Sequence, residues 1–256
     1  MAPELQHLSY SSVQSYLLCG YAWRLHYVDR VETPTAPALV FGSAWHTLTE
    51  EYLKTGKPLG ELWPAAWDAQ LKDEPNVDWS QDTPESLAAT GMRMINSQTV
   101  RDLLKSVREN FDPEICQIER RVELGVPGVP IPIIGYIDVI TKDGTPGDFK
   151  TAARMWSDDK PATEMQPLVY LAALNQAGEH THQWRFKHYV TTKTAKPAAR
   201  VFETQYSAAD VLNTLFPTIT GVWQAIQAEA FPKVTTSWKC NPKWCEYWSM
   251  CRGNSG

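Results

Sequence analysis

Residues 133–151, IIGYIDVITKDGTPGDFKT, leave this chain the fewest choices of fold. β-Branched bulk at Ile133, Ile134, Ile137, Val139 and Ile140 runs up to Asp143-Gly144, and Gly147-Asp148-Phe149-Lys150 follows. That is the pattern of two strands joined by a tight turn. Asp148 and Lys150 stand two apart on the second strand, so both side chains leave the same face. A hairpin register brings Asp138, on the first strand, beside Asp148. Two carboxylates and an ammonium converging on a sheet are costly to hold together, and a divalent cation is the usual compensation.

Around this hairpin the sequence alternates between helical and extended patterns. A capping pattern at Ser11-x-x-Gln14, with Val13, Tyr16, Leu17, Gly20 and Trp23 behind it, predicts one helix over 11–27 that carries Cys19 near its middle. A second helix is expected over 42–54, where His46 and Glu50 share a face. Segments 59–71 and 84–110 read as helical, separated by an acidic, proline-containing loop at 73–82. A strand over 115–124 and a Gly/Pro turn at 125–132 lead into the hairpin. Beyond it come a helix at 162–177, on which Gln166 and Tyr170 share a face, strands at 184–192 and 200–206, and a helix from 207 to about 230. Strands grouped centrally with helices before and after them favour a three-layer α/β fold. A hairpin followed by a helix and another strand makes the sheet mixed.

At 256 residues the chain is long enough for a sizeable core, and no apolar run is long enough to span a bilayer. The amino terminus, MAPELQHLSYSS, lacks a basic region followed by an apolar stretch, so no signal peptide and a cytoplasmic location are expected. A net charge of −5 argues against a generic nucleic-acid coat protein but leaves room for a local basic groove. Lys187, Lys193, Lys196, Arg200, Arg154 and Trp156 are candidates to line one, although lysines also commonly protect sheet edges.

Five cysteines are unevenly placed: Cys19 and Cys116 stand alone, while Cys240, Cys245 and Cys251 crowd the carboxyl-terminal tail. Without a secretory signal, clustered cysteines point to metal or iron–sulfur ligation rather than disulfides. Three thiolates need a fourth ligand, for which Cys19 is the candidate; zinc suits the same donors. Cys116, in EICQIERRVEL, reads as a core thiol.

G-Y-I-D-V-I, then G-D-F-K-T, then Gln166-x-x-x-Tyr170 resembles the RecB-like branch of the PD-(D/E)xK nuclease superfamily. Gly42-Ser43-Ala44-Trp45-His46 matches the G-x-x-x-H motif of that branch, and Ser9-x-x-Ser12 with Tyr16 and Cys19 resembles the opening helix of its cluster-bearing members. The resemblance runs in order from Ser9 to Cys251. It implies a restriction-endonuclease-like core forming a single nuclease domain, with a helical insert at 59–110 and a staple made of 231–256 and Cys19. It also implies that His46, Asp138, Asp148 and the backbone carbonyl of Phe149 hold Mg²⁺ or Mn²⁺, that Lys150 acts on the attacking water, and that Gln166 and Tyr170 support the site or contact DNA. The cysteines would carry a [4Fe–4S] cluster of structural role, as in the CRISPR-adaptation relatives, although Cys240-x₄-Cys245 departs from the family's C-x₂-C spacing.

The function expected is that of a metal-dependent DNA exonuclease or end-processing nuclease of phage or mobile-element recombination or repair. The alternatives are a CRISPR spacer-processing nuclease and a non-catalytic DNA-binding scaffold. No G-x-x-x-x-G-K-[ST] is present, so unwinding falls to a partner such as a helicase, with a recombinase or annealing protein as a further partner and oligomers open.

Overall fold

A computed structural model describes residues 4–253; residues 1–3 of the amino terminus and 254–256 of the cysteine-rich tail lie outside the described residues. In chain order the elements are β1 (Leu8–Ser9), α1 (Tyr10–Leu18), α2 (Gly20–Tyr27), α3 (Pro37–Thr55), α4 (Leu59–Asp73), α5 (Pro84–Asn96) and α6 (Gln98–Glu109). The strands β2 (Gln117–Val126), β3 (Val129–Ile140) and β4 (Pro146–Ala152) follow, then α7 (Gln166–Gln176), β5 (Arg185–Thr192) and β6 (Ala199–Gln205). A short α8 (Ala208–Asp210), a π turn at Val211–Leu215, α9 (Phe216–Gln227) and α10 (Trp248–Arg252) close the chain. The protein is mixed α/β, and among the described residues no helix is long and apolar enough to cross a membrane.

These elements fall into two compact units. The central unit comprises Thr35–Val122 and Tyr136–Ser207; the terminal unit comprises Met1–Pro34, Glu123–Gly135 and Ala208–Gly256.

In the central unit the expected hairpin forms: β3 runs antiparallel to β4 with Val139 opposite Gly147, and Gly144 takes the left-handed turn conformation at φ 72°. β4 pairs in parallel with β5, and β5 antiparallel with β6, so the sheet is mixed. One sheet face, through Val139, Phe149 and Tyr189, packs against an aromatic core from α3 and α4 (Phe41, Trp45, Trp63, Trp67) and the apolar stripes of α5 and α6. The opposite face receives α7, whose Tyr170 ring lies 6.1 Å from Phe186 of β5. Period-two alternation therefore sorts β4: Phe149 goes to the aromatic core, while Asp148 and Lys150 go to the α7 side.

The helical insert departs from the expected single helix at 84–110. Ser97 is extended (ψ 130°) and ends α5, and its hydroxyl donates to the Pro197 carbonyl at 2.8 Å. The helix expected at 162–177 starts later, at Gln166, after a 3₁₀ turn at Lys160–Thr163.

In the terminal unit β1 pairs in parallel with β3, Leu8 opposite Ile133. The helix expected over 11–27 is two helices, because Cys19 is extended (φ −167°, ψ 106°). Its cap is Ser9, which accepts the Ser12 amide at 3.0 Å, rather than Ser11. A long-range contact explains the break. Pro232 lies so close that a Cβ on Gly20 would sit 2.7 Å from its Cδ, and the Pro232 carbonyl accepts the Tyr21 amide at 3.1 Å. Trp23 stacks on Phe231 at 5.8 Å, and Tyr247, fully buried, meets His26 Nδ1 at 3.2 Å.

Candidate active site

The central unit gathers the site on the α7 side of β3 and β4. One register step beyond the Val139–Gly147 pair, Asp138 falls beside Asp148. Asp138 Oδ2 accepts the backbone N–H of Phe149 at 2.6 Å, so the carboxylate is locked to the strand that carries Asp148 and Lys150. From α3, His46 Nδ1 lies 3.2 Å from the same oxygen. Burial alone would discharge His46, but the Asp138 carboxylate, helped by Asp148, pushes its pKa up to about 9.

Asp148 is almost completely buried, and burial pushes its carboxyl pKa up against the opposing pull of Lys150. Lys150 Nζ lies 2.8 Å from Asp148 Oδ2 and 2.9 Å from the Gln166 side-chain oxygen, and the Gln166 amide donates to the Tyr170 hydroxyl at 2.8 Å. Gln166 and Tyr170 are one turn apart on α7, so the helix fixes the lysine from above the sheet. Burial, reinforced by the Asp148 carboxylate, holds the Tyr170 phenol neutral.

Glu119 was not singled out by sequence reasoning, yet it joins this group. Ligand atoms of His46, Glu119 and Asp138 all lie within 4.8 Å of one another. It sits on β2 with φ 50°, a left-handed conformation that a side chain of its size rarely adopts. In a strand of alternating parity such a residue is turned out of sequence, and cost of this kind persists where the surroundings impose it. Burial, then the carboxylates of Asp138 and Glu50, raises its pKa. The only signal in the sequence was an acid in a strand-like run, beside Arg120 and Arg121.

His188 was also missed. It pairs with Asp148 across the parallel β4–β5 register, is fully buried, and has no hydrogen-bond partner on either ring nitrogen among the described residues. Burial lowers its pKa to about 4, which keeps it neutral, and the half-buried Trp156 covers it at 5.1 Å.

An open cleft of about 470 Å³ leads to the group, lined by Ala38, Leu39, Gly42, Ser43, His46, Thr47, Glu50, Gln70, Glu119 and Asp138. Gly42 is one turn before His46, and a side chain there would project into open space. Three carboxylates (Asp138, Asp148, Glu119) face His46 and Lys150, an oxygen- and imidazole-rich donor set that suits a hard divalent cation.

The candidate basic residues make contacts of their own. Lys187 is held by Asp143 at 3.0 Å, Lys193 lies over the Phe41 ring at 5.2 Å, and Arg200 is paired with Asp158 at 2.7 Å. Arg154 and Lys196 are exposed. In the terminal unit Cys19, Cys240, Cys245 and Cys251 line one cavity, joined by Tyr21, Ala22 and Tyr247. Burial raises the Cys245 thiol pKa, and Arg252 reaches Cys240 Sγ at 3.7 Å. Four sulfurs with a guanidinium at the margin fit an anionic thiolate-ligated centre. Cys116 is a buried core thiol that accepts the Asp112 amide.

Residues 7–252 match the family model described as PD-(D/E)XK nuclease superfamily. A crystal structure described as "Putative exonuclease" from Eubacterium rectale is similar over 92% of this chain and 87% of its own, at 15% identity and a TM-score of 0.63, which is a likeness of fold. The structure of SSO0001 aligns over 94% of this chain and 96% of its own at 12% identity, with a TM-score of 0.35. No curated protein matches the chain.

Proposed function

This chain belongs to the PD-(D/E)XK nuclease superfamily, and we propose that it is a divalent-cation-dependent deoxyribonuclease that degrades or trims DNA from its ends. The observation that carries the reading is one constellation: Asp138 and Asp148 side by side on the hairpin, Lys150 fixed between Asp148 and Gln166, and His46 with Glu119 closing on Asp138. The exonuclease description of the structurally similar protein agrees with it.

His46, Asp138, Glu119 and Asp148, with the Phe149 carbonyl, are the residues that would hold Mg²⁺ or Mn²⁺. Such a cation, when bound, lowers the pKa of a water and offsets the charge that builds on the scissile phosphate. The chain does the rest. Asp138 is anchored by the Phe149 amide and so cannot swing away from Asp148. Lys150, bonded to Asp148 and Gln166, keeps a further N–H with which to orient the attacking water or a phosphate oxygen. Gln166 and Tyr170 hold Lys150 in the rotamer that this task needs.

We further propose a thiolate-ligated centre, [4Fe–4S] or zinc, on Cys19, Cys240, Cys245 and Cys251, which would fix the tail to the α1–α2 break. Anaerobic purification with iron, sulfide and zinc analysis identifies the occupant. A Cys245→Ser variant that keeps unchanged solubility and thermal stability would overturn the structural role. The end-processing reading is tested on labelled linear and circular DNA with Mn²⁺. Loss of label from linear ends with circles intact is expected, whereas nicking of circles contradicts it. A wild type as silent as Lys150→Ala that still binds DNA would instead favour a scaffold.

A further inference from the structure

We propose that the tail of the terminal unit carries a second nucleic-acid site, one that grips single-stranded DNA by stacking without cutting it. Trp238 is 68% exposed and Trp244 is 54% exposed, although indole is among the costliest side chains to leave in water. Their rings lie 6.5 Å apart at 71°, forming one exposed aromatic feature rather than two scattered residues. A turn holds Trp244 in place. The Trp244 amide donates to the Asn241 carbonyl at 3.0 Å, and the Lys243 amide donates to Asn241 Oδ1 at 2.9 Å.

Charge selects the class of ligand. Across 233–252 the chain places Lys233, Lys239 and Lys243 against one carboxylate, Glu246, with Arg252 engaged by Cys240, in a protein whose net charge is −5. Lys239 already binds Glu246 at 2.9 Å, so that carboxylate is neutralised locally. Lys243 lies over the Trp244 ring at 5.0 Å and Lys233 over Tyr21 at 4.6 Å, so lysines of this tail rest on ring faces. Such pairing suits a polyanion that brings its own flat apolar faces. Bases in a duplex are covered by their neighbours, whereas an unpaired strand can offer one base to each of two rings standing at a steep angle. Single-stranded DNA is therefore the occupant. The inference rests on the reading that the protein works on DNA, but uses none of the residues assigned to cleavage.

The test is fluorescence anisotropy of a labelled oligothymidylate with the full chain in buffer without added divalent cation, where cleavage is suppressed. The wild type should bind, and the Trp238→Ala/Trp244→Ala variant should bind about tenfold or more weakly. The matching Trp→Phe pair should retain most of the affinity, which separates loss of stacking from loss of fold. Wild-type failure to bind under these conditions, or equal binding by the alanine pair, overturns the proposal, as does displacement of the label by polyglutamate as effective as that by unlabelled oligothymidylate. Loss of the nuclease reading shows separately, as absence of Mn²⁺-dependent cleavage while ring-dependent binding persists.

Discussion

His46 Nδ1 and Asp138 Oδ2 lie 3.2 Å apart, a helix side chain closing on a strand carboxylate that the Phe149 amide already pins. The contact turns a hairpin with a D-x-K pattern into a site with a donor set. It also marks where each neighbouring substitution should act.

Gln166 touches Lys150 and Tyr170 but neither of the hairpin carboxylates by hydrogen bond. Gln166→Ala should therefore leave the donor set intact and free the Lys150 ammonium, lowering kcat by roughly 10–100-fold with KM near the wild-type value. Steady-state cleavage of a labelled linear duplex measures both constants. A change confined to KM would place Gln166 in DNA binding instead.

Glu119 couples function to backbone strain. Glu119→Gly relieves the left-handed φ of 50° and removes a carboxylate from beside Asp138 and Glu50, so thermal stability should rise by about 1 kcal/mol. Affinity for Mn²⁺ should fall in the same variant. Calorimetry of unfolding and of Mn²⁺ binding reads the two effects, and a variant that loses stability without losing cation affinity contradicts the assignment.

Gly91 of α5 faces the Trp63 ring so closely that an added Cβ would sit 2.0 Å from it. The ring cannot retreat, because Trp63 is buried among Phe41, Trp45 and Trp67 and donates its N–H to the Ala88 carbonyl at 2.9 Å. Gly91→Ala should destabilise by about 1–3 kcal/mol even though alanine is the better helix former. Denaturant unfolding decides it.

Asp143 at the hairpin turn sets an acid limit. Burial opposes its ionisation, but hydrogen bonds from the Thr141 hydroxyl, Lys187 and the Thr145 amide prevail and hold its pKa well below the ordinary 3.8. A carboxyl with a depressed folded-state pKa stabilises above its unfolded value, and that stabilisation drains away as pH falls below 3.8 toward the folded value. Asp143→Asn should therefore lower stability at neutral pH and flatten the decline below pH 4, as followed by thermal unfolding across pH.

The hairpin was legible because period-two alternation and the Asp143-Gly144 turn are local signals, and they bring Asp138 beside Asp148. The mixed sheet and the Gln166–Tyr170 pairing on one helix face follow from equally local spacing. What escaped depends on distant partners. Helical periodicity runs straight through Cys19, and the chain breaks there because Pro232 packs onto Gly20. Ser97 interrupts another apparently continuous helix with its hydroxyl on the Pro197 carbonyl. Glu119 reaches His46 only through an unusual φ, which no residue pattern announces. Lys187 reaches Asp143 and Lys193 lies over the Phe41 ring, contacts that local spacing does not announce.

The most direct test of the central claim is the initial rate of label release from linear DNA across a Mn²⁺ titration, for wild type, Asp138→Asn and Lys150→Ala. The arrangement predicts cleavage that requires the cation and falls at least about a hundredfold in both variants, with their folding unimpaired. Cleavage that survives EDTA, or variants that cut at the wild-type rate, would contradict it.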